Sequence, residues 1–152
     1  MRLVVQRVRR ARVTIDGNEV AAVSRGAVVL LGVARDDTDE DAAYLARKVS
    51  GLRIFDDDDG KLNNDIRDTG GSFLVVSQFT LYGDCRKGNR PSYIEAAAPG
   101  PGREKYDAFV RHLREQGHEV QTGRFQETMV VELDNDGPVT LVIESRGRTR
   151  AA

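Results

Sequence analysis

The order of apolar and polar residues along the chain predicts a sheet-rich domain with two helices. Segments rich in β-branched residues predict strands. Asp16-Gly17 interrupts one of these segments and predicts a hairpin turn. The continuous apolar run at 26–34 is typical of a buried strand, and the final segment is expected to fold as a strand pair. The predicted strand segments are RLVVQRV, ARVTIDGNEVAAV, GAVVLLGVA, SFLVVSQFTLY and TMVVELDNDGPVTLVIES.

Two further segments place apolar residues at helical spacing. The first covers about 38–52, where Thr38 and Asp41 form a capping pattern. The second covers about 101–116 and is ended by Gly117. We therefore predict one α+β domain with a mixed sheet. The apolar faces consist of Ala42, Leu45, Ala46 and Val49 in the first helix and of Tyr106, Phe109, Val110 and Leu113 in the second.

The length and composition of the chain limit its class. A length of 152 residues suits one domain, to which we assign 1–145, leaving 146–152 as a basic, flexible tail. Apolar residues make up 39% and charged residues 31% of the chain, which is typical of a folded soluble protein. A lone cysteine excludes an internal disulfide. Because no stretch has the length of a signal sequence or membrane span, we expect a cytoplasmic protein without a membrane partner.

The distribution of charge leaves a nucleic-acid partner open. The formal net charge is −1, so the overall charge does not favour nucleic acid. Local basic clusters can nevertheless bind phosphates in a neutral protein. The alternative is that each cluster is only a solvated surface. The clusters are Arg2, Arg7, Arg9, Arg10 and Arg12, then Arg86, Lys87 and Arg90, and finally Arg146, Arg148 and Arg150.

The sequence carries no metal or cofactor motif. In FDDDDGKLNNDI, a calcium loop with Gly60 at its sixth position would begin at Phe55 and end at Ile66, where carboxylates are required. His112 and His118, with one cysteine, make no set of zinc ligands. There is no phosphate-binding glycine loop. We therefore predict an acidic surface turn and neither a cofactor nor a metal.

Ser77, in VVSQF, is a candidate nucleophile. It lacks the glycines of a nucleophile elbow. The partners of a catalytic serine can, however, come from distant positions in the chain. A serine esterase therefore stays open as an alternative.

Two separated motifs resemble a known family. Pro138 follows a turn-like Asn-Asp-Gly run and lacks the N–H group that a strand needs there. The segment containing it, NDGPVT at 135–140, and SQFTLYG at 77–83 resemble the two signature motifs of D-aminoacyl-tRNA deacylases. The resemblance extends nearly end to end, through VVQRVRRARVTIDG, LLGV, GLRIFDDDDGKLN, GGSFLVVSQFTL, KGNRPSY and QTGRF.

The resemblance implies a fold and an activity. The fold would be a mainly antiparallel, barrel-like sheet with two helices, assembled as a homodimer. The reaction would be hydrolysis of the ester that joins a D-amino acid, or glycine, to the 3′-terminal adenosine of tRNA. Gly137-Pro138 would be a cis peptide inserted into the pocket of the partner subunit, where it rejects L-amino acids. The partner would be the aminoacylated 3′ end of tRNA, with no role for DNA.

The resemblance also implies roles for individual residues. Backbone N–H groups of Phe79 and Thr80, with the Thr80 hydroxyl, would face the substrate carbonyl, while Ser77 and Gln78 orient the loop and contact the adenosine. Gly137 and Pro138 would hold the α-amino group through their carbonyls. The remaining candidates are Thr140 in the second motif, Phe125 and Met129 as pocket-lining residues, and Arg7 beside the Gly-Pro segment.

Alternatives remain for several of these positions. Phe125 is either an adenine-stacking ring or an ordinary core aromatic, and Arg7 is either a support or a surface arginine. Gln126 and Glu127 depart from the small residues that the family has there, which matters only if they line the pocket. The competing functions are a serine esterase that uses Ser77 and a non-catalytic dimer that binds tRNA ends.

Overall fold

The computed structural model describes residues 1–146, and Arg148 and Arg150 of the predicted tail lie outside the described residues. Within that range the chain forms eight strands and two helices, with 3-10 turns at Arg67–Thr69 and Phe79–Tyr82. The elements are β1 (Arg2–Ile15), β2 (Asn18–Val23), β3 (Gly26–Gly32), α1 (Asp39–Ser50), β4 (Phe55–Asp56), β5 (Leu62–Asn64), β6 (Ser72–Ser77), α2 (Pro99–Glu115), β7 (Val120–Thr122) and β8 (Val130–Glu144).

The long strand β1 organises the main sheet. β8 runs antiparallel to β1 over nearly its whole length. β3 and β2 therefore share the other edge of β1, where residues 2–8 pair with β3 and residues 11–15 pair with β2. β6 and then β7 continue the sheet in parallel with β3. Because β2 also contacts β6 and β7, the sheet curls into a nearly closed barrel. The prediction of a mixed α+β domain with a barrel-like core is confirmed.

The predicted hairpin turn is present between β1 and β2. Asp16 and Gly17 both have positive φ, 49° and 77°, which a two-residue turn of type I′ requires. Ile15 and Asn18 pair across the turn.

Two strand predictions are wrong in their extent. The final segment is one 15-residue strand, β8, and not a strand pair. Both halves of β8 run antiparallel to β1. They can pair with the same strand because β1 is itself 14 residues long. The segment SFLVVSQFTLY stays in the sheet only as far as Ser77 and then forms the Phe79–Tyr82 turn. Both signature motifs therefore lie at irregularities of the sheet.

The two helices pack on each other and on one face of the sheet. α1 begins after Thr38, whose backbone N–H donates to the Asp41 carboxylate at 2.9 Å, as the capping pattern predicts. α2 begins at Pro99, two residues before the predicted start, with proline in its first turn. The predicted apolar residues of both helices are buried. No helix in residues 1–146 is long and apolar enough to cross a membrane.

Strands β3 and β6 are apolar without interruption because both of their faces are buried. Val29 and Val75 face the helices within the larger core cluster. Val28 and Leu74 face the opposite side, where the curled sheet encloses a second cluster with Val8. Successive side chains of a strand point to opposite faces. When both faces are buried, every position is apolar, and apolar and polar residues do not alternate along the strand.

The basic cluster at the start of the chain is neutralised across β1 and β8. Arg10 and Arg12 pair with Asp134 and Glu132 at 2.7 and 2.6 Å. Arg2 pairs with the carboxylate of Glu144 and also donates to the carbonyl of Leu81. These arginines face carboxylates on the neighbouring strand. They do not form a free phosphate-binding patch.

A buried histidine joins the end of α1 to the start of β7. The Nε2 atom of His118 is hydrogen-bonded to the hydroxyl of Ser50, and both residues are buried. The imidazole also meets the Phe73 ring edge-on, with the ring centroids 5.1 Å apart. Burial lowers the pKa of His118 below its usual value, because desolvation disfavours the charged form.

We predict that this histidine makes stability depend on pH below neutrality. The pKa of His118 is lower in the folded chain, so the unfolded chain binds more protons as the pH falls through about 6.5. The melting temperature should therefore fall between pH 7 and pH 5, by about 2–4 °C for each kcal/mol lost. Circular dichroism melts of His118→Gln should lack this fall, whereas His112→Gln should keep it. A fall that persists unchanged in His118→Gln would contradict the prediction.

Candidate active site

The first signature segment lies where β6 leaves the sheet. Ser77 is the last residue of β6 and pairs with Leu31 of β3. The N–H of Gln78 still donates to the Leu31 carbonyl at 2.8 Å. The chain then turns away through Phe79–Tyr82, and the turn is closed by the Gly83 N–H, which donates to the Thr80 carbonyl at 2.9 Å. The segment is thus held rigidly by the sheet on one side and by its own turn on the other.

Two backbone donors at this turn have no acceptor among the described residues. The N–H groups of Phe79 and Thr80 stand at the start of a 3-10 turn, where the first donors have no partner inside the turn. The side chain of Gln78 donates to the Thr80 hydroxyl, which orients both groups. Donors of this kind can stabilise negative charge on a ligand oxygen without an ionisable side chain.

A cleft of about 710 Å³ opens beside this turn. Ser77, Gln78 and Phe79 line one side of it, and Phe125 and Met129 line another. The start of α2 closes it with Pro99 and Gly102. The structure therefore brings five of the residues singled out from the sequence into one cleft. Thr80 is exposed beside them but is not among the lining residues.

Phe125 combines the two roles that the sequence left open, a core aromatic residue and a ring that faces the cleft. Its ring is half-buried and packs on Tyr106 of α2, with the ring centroids 5.9 Å apart. It also lines the cleft. The neighbouring Met129 sulfur accepts the Arg124 N–H at 3.4 Å and lies so close to Gly123 that a Cβ there would come within 2.7 Å of it. The Phe125 ring thus packs on Tyr106 and also lines the cleft.

Gln126 and Glu127 line the cleft. Both are exposed, and Gln126 has a positive φ of 62°. The residues that depart from the family's small side chains therefore lie at the cleft, where their size and charge can affect which substrates fit.

Tyr93 is a cleft residue that sequence reasoning missed. Its ring meets the Phe79 ring edge-on at 5.1 Å, and both rings are exposed. Paired backbone hydrogen bonds between Asp84 and Ser92 close the loop between them, which returns Tyr93 to the turn. The KGNRPSY segment resembled the family and could have indicated this residue. Only the closed loop, however, shows that its tyrosine reaches the cleft. In that loop Arg86 pairs with Asp84 and lowers the pKa of the Asp84 carboxyl to about 2.

The second signature segment is a bulge in β8. Thr140 pairs with Gln6 and Asn135 pairs with Val8. Four residues of β8, 136–139, therefore stand opposite the single residue Arg7 of β1. The extra residues bend out of the ladder, as bulged residues do. The Gly137-Pro138 peptide within this bulge is cis, and both residues are exposed.

Arg7 supports the bulge from beneath. Its guanidinium donates to the carbonyl of Asp136 at 3.1 Å and to that of Ile54 at 2.8 Å. The carboxylates of Asp136 and Asp56 lie 3.5 and 3.7 Å away. Arg7 is only 6% exposed, so the alternative of a surface arginine is wrong. A buried guanidinium satisfied in this way fixes the carbonyls that it contacts.

The first signature segment follows the end of β6, whereas the second lies in the middle of β8, with β1 and β3 between β8 and β6. Ser77 is at the level of Leu31 of β3, whereas the bulge stands opposite Arg7, which pairs with Ala27 of β3. Four residues of β3 separate these levels, which corresponds to about 13 Å along the strand. Of the described residues, neither Gly137, Pro138 nor Thr140 lines the cleft. Thr140 is instead hydrogen-bonded to the side chain of Asn135 at 3.2 Å.

Neither histidine is hydrogen-bonded to Ser77 in the described part of the chain. His118 is bonded to Ser50, and His112 lies against the carboxylates of Asp39 and Glu115 at 3.3 and 3.4 Å. In the part of the chain that the structure describes, neither histidine lines the cleft. No group of three or more metal-ligating side chains suited to a metal ion occurs within residues 1–146. The cleft therefore offers backbone donors and aromatic surface.

Comparisons with known proteins point to one family. Residues 4–144 match the family model described as D-Tyr-tRNA(Tyr) deacylase. The D-aminoacyl-tRNA deacylase of Thermotoga petrophila is 56% identical over 145 residues, covering 95% of this chain and 97% of that protein. The D-aminoacyl-tRNA deacylase of Desulforamulus reducens is 58% identical over 146 residues, covering 96% and 98%.

Solved structures show the same fold. One titled c-Myc DNA Unwinding Element Binding Protein superposes with a TM-score of 0.90 and 38% identity, covering 95% of this chain and 98% of that chain. A probable eukaryotic D-amino acid tRNA deacylase superposes with a TM-score of 0.80 at 18% identity, covering 94% and 98%. The second likeness concerns the fold alone.

We predict that Gly137→Ala destabilises the protein more than a matched glycine substitution. A Cβ at Gly137 would lie 2.5 Å from Arg7 Nη2, and the residue has a φ of 112°. Gly60→Ala is the control, because Gly60 also has a positive φ, 74°, but nothing within 4 Å. Positive φ alone costs about 1–2 kcal/mol, so urea titration should show that loss for Gly60→Ala and at least about 1 kcal/mol more for Gly137→Ala. Equal losses would show that Arg7 does not hold the bulge.

Proposed function

This chain belongs to the D-Tyr-tRNA(Tyr) deacylase family, and we propose that it hydrolyses the ester between a D-amino acid and the 3′-terminal adenosine of tRNA. It is a D-aminoacyl-tRNA deacylase. The finer statements that follow concern its substrate range, its assembly and the roles of its residues. One observation supports them: the first signature segment lines a cleft, whereas the second lies outside that cleft, exposed on a supported bulge.

The terminal adenosine occupies the cleft beside the first segment. Phe125 offers an aromatic face for the adenine, because ring stacking is favourable for any base. The side chains of Ser77 and Gln78 contact the ribose. The ester carbonyl then comes near the Phe79–Tyr82 turn, whose first two N–H groups have no acceptor among residues 1–146. This arrangement positions the ester for attack.

Hydrolysis needs no ionisable side chain in this arrangement. A water molecule attacks the ester carbonyl, and the negative charge that develops on the carbonyl oxygen is stabilised by the N–H groups of Phe79 and Thr80. The 2′-hydroxyl of the adenosine assists in moving the proton from water to the departing 3′-oxygen. The C–O ester bond breaks, and the products are the free D-amino acid and tRNA. The absence of both histidines from the cleft, as lined by the described residues, supports this scheme over a serine nucleophile.

Selection against L-amino acids requires a second copy of the chain. The bulge at 136–139 reaches the cleft of a partner, where the carbonyls of Gly137 and Pro138 accept hydrogen bonds from the α-amino group. A D side chain then points away, whereas an L side chain strikes the bulge. Glycine has no side chain, so glycyl-tRNA is also hydrolysed. A 10⁴-fold preference for the D ester over the L ester corresponds to about 5.5 kcal/mol. A steric clash with a rigid main-chain segment can supply this difference when the segment cannot move.

Two features support the homodimer. The separation of about 13 Å along the strands keeps the two segments of one protomer apart. A twofold axis would bring each bulge to the other protomer's cleft and create two identical sites. β8 also pairs with no strand other than β1 among the described residues, and it exposes Val130, Leu141 and Val142. Burial of such an edge against a second copy removes an unpaired strand from solvent.

The activity is tested with D- and L-tyrosyl-tRNA. We expect the D ester to disappear and the L ester to persist, with rates that differ by at least about 10³ (~4 kcal/mol). The measurement is the ester that remains with time, counted after acid precipitation. Binding of both tRNAs without loss of the D ester would favour the non-catalytic dimer.

Ser77→Ala separates the two chemical schemes. If Ser77 positions the substrate, its alanine variant should lower kcat by about tenfold, and Thr80→Ala should have a similar effect. A covalent serine would instead lose on the order of 10⁴-fold or more. Single-turnover rates on D-tyrosyl-tRNA give the answer. Loss of that larger size in Ser77→Ala alone would establish the serine esterase and overturn the scheme.

Mixed dimers test whether the bulge acts in trans. Phe125→Ala weakens the cleft, and Pro138→Gly loosens the bulge, so each homodimer should be at least about tenfold slower on D-tyrosyl-tRNA. A heterodimer purified through two different tags has one site with both defects and one intact site. Its activity should return to about half of the wild-type value per dimer, since one of two sites is whole. No recovery in the heterodimer would place both segments of a site in one protomer.

A further inference from the structure

A second groove adjoins the cleft and has not been assigned a role. It has a volume of about 810 Å³ and runs between one side of α2 and the segment that follows β7. Phe125 and Glu127 line both the groove and the cleft, so the two adjoin at these residues. Four arginines line the groove: Arg103, Arg111, Arg114 and Arg124.

The two arginines nearest the junction are the ones available to a ligand. The Arg124 guanidinium is exposed and has no partner among the described residues. Arg103 lies over the Phe125 ring, 5.9 Å from its centroid. Among residues 1–146 its only ion pair is an exposed contact of 3.7 Å with Asp107 within the same helix, and such pairs are weak. Arg103 therefore contacts the aromatic ring that the groove shares with the cleft, and Arg124 lines the same groove.

The other charges of the groove are already engaged. Arg111 pairs with Asp39 at 3.3 Å and with Glu115 at 3.6 Å. Arg114 donates to the Val120 carbonyl at 2.9 Å. Glu127, at the junction, is the one acidic lining residue that has no cationic partner among the described residues. The free charges at the junction are thus two guanidinium groups and one carboxylate.

We propose that this groove binds the phosphate groups of the unpaired nucleotides that precede the terminal adenosine, with Arg103 and Arg124 as the contacting residues. The proposal rests on the proposed function. Phe125, the proposed adenine platform, also lines this groove together with Arg103 and Arg124, so the nucleotides before the adenosine can enter the groove from that ring. A guanidinium can bind two phosphate oxygens at once. The strand then continues along the groove, where Arg111 and Arg114 add a positive field.

Other basic clusters are less suited to this role. Arg86 is held by Asp84 through its Nε and Nη2 atoms, at 2.9 and 2.6 Å. The arginines of β1 face carboxylates on β8. Neither cluster shares a residue with the cleft.

The test compares two esters that share the same D-tyrosyl-adenosine end, one with and one without the rest of the tRNA and its phosphates. One is D-tyrosyl-tRNA, and the other is D-tyrosyl-adenosine, which has the same ester and no phosphate. For the double variant Arg103→Ala/Arg124→Ala, KM for the tRNA ester should rise on the order of tenfold, since two exposed charge contacts are lost. The change for D-tyrosyl-adenosine should be at least about fivefold smaller, and its hydrolysis reports that the variant is folded. Lys61→Ala, an exposed lysine outside the cleft and the groove, removes one positive charge and should change neither value.

Salt dependence supplies a second readout. Each phosphate contact to a single strand contributes about 0.7 to the slope of log KM against log salt concentration. The double variant should therefore lose about 1.4 from that slope, and Lys61→Ala should lose none. Glu127→Gln should act in the opposite direction and lower KM for the tRNA ester, because it removes the carboxylate at the junction.

Three results would overturn the proposal. They are equal losses on the two esters, an unchanged salt slope in the double variant, and a Lys61→Ala effect as large as that of the double variant. Failure of the proposed function itself is distinct, because the wild-type protein would then hydrolyse neither ester.

Discussion

The contact between Arg7 and the main chain of β8 is the constraint on which the second signature segment depends. The guanidinium is buried and donates to the Asp136 and Ile54 carbonyls, and it fills the space that four bulged residues leave opposite one residue of β1. Without that support the bulge would be an exposed loop with many conformations. With it, the carbonyls of the segment have fixed directions, which is what a main-chain recognition element needs.

The sheet that holds the bulge in place also separates it from the cleft. β3 and β6 carry the first segment to their carboxyl ends, and β1 and β8 hold the bulge about four residues away along the strands. The nearly closed sheet is packed on both faces, and this rigid frame keeps the two segments of one protomer apart. This geometry supports the proposed trans arrangement, which would use the same frame for catalysis and for rejection of the wrong enantiomer.

The cleft relies on position and main-chain donors more than on ionisable groups. The Phe79–Tyr82 turn presents N–H groups, Phe125 and Tyr93 present aromatic surface, and the adjoining groove presents guanidinium groups. A substrate that brings its own hydroxyl and phosphates suits such a site. The proposed groove contacts would let the enzyme bind the tRNA end through charge while the ester is selected only by shape.

Local sequence alone determined the helices, the Asp16-Gly17 turn and the buried strands, because capping, turn chemistry and apolar periodicity act between near neighbours. The paired signature motifs also marked Ser77–Phe79 and Gly137-Pro138 without any coordinates. Only the tertiary structure decided that β8 is a single bulged strand, that Arg7 is buried beneath it, that Tyr93 lines the cleft and that Arg124 lines the adjoining groove. These features depend on pairing between residues more than a hundred positions apart, or on loops that close through backbone hydrogen bonds. Neither kind of contact produces a periodic pattern of apolar and polar residues in the sequence.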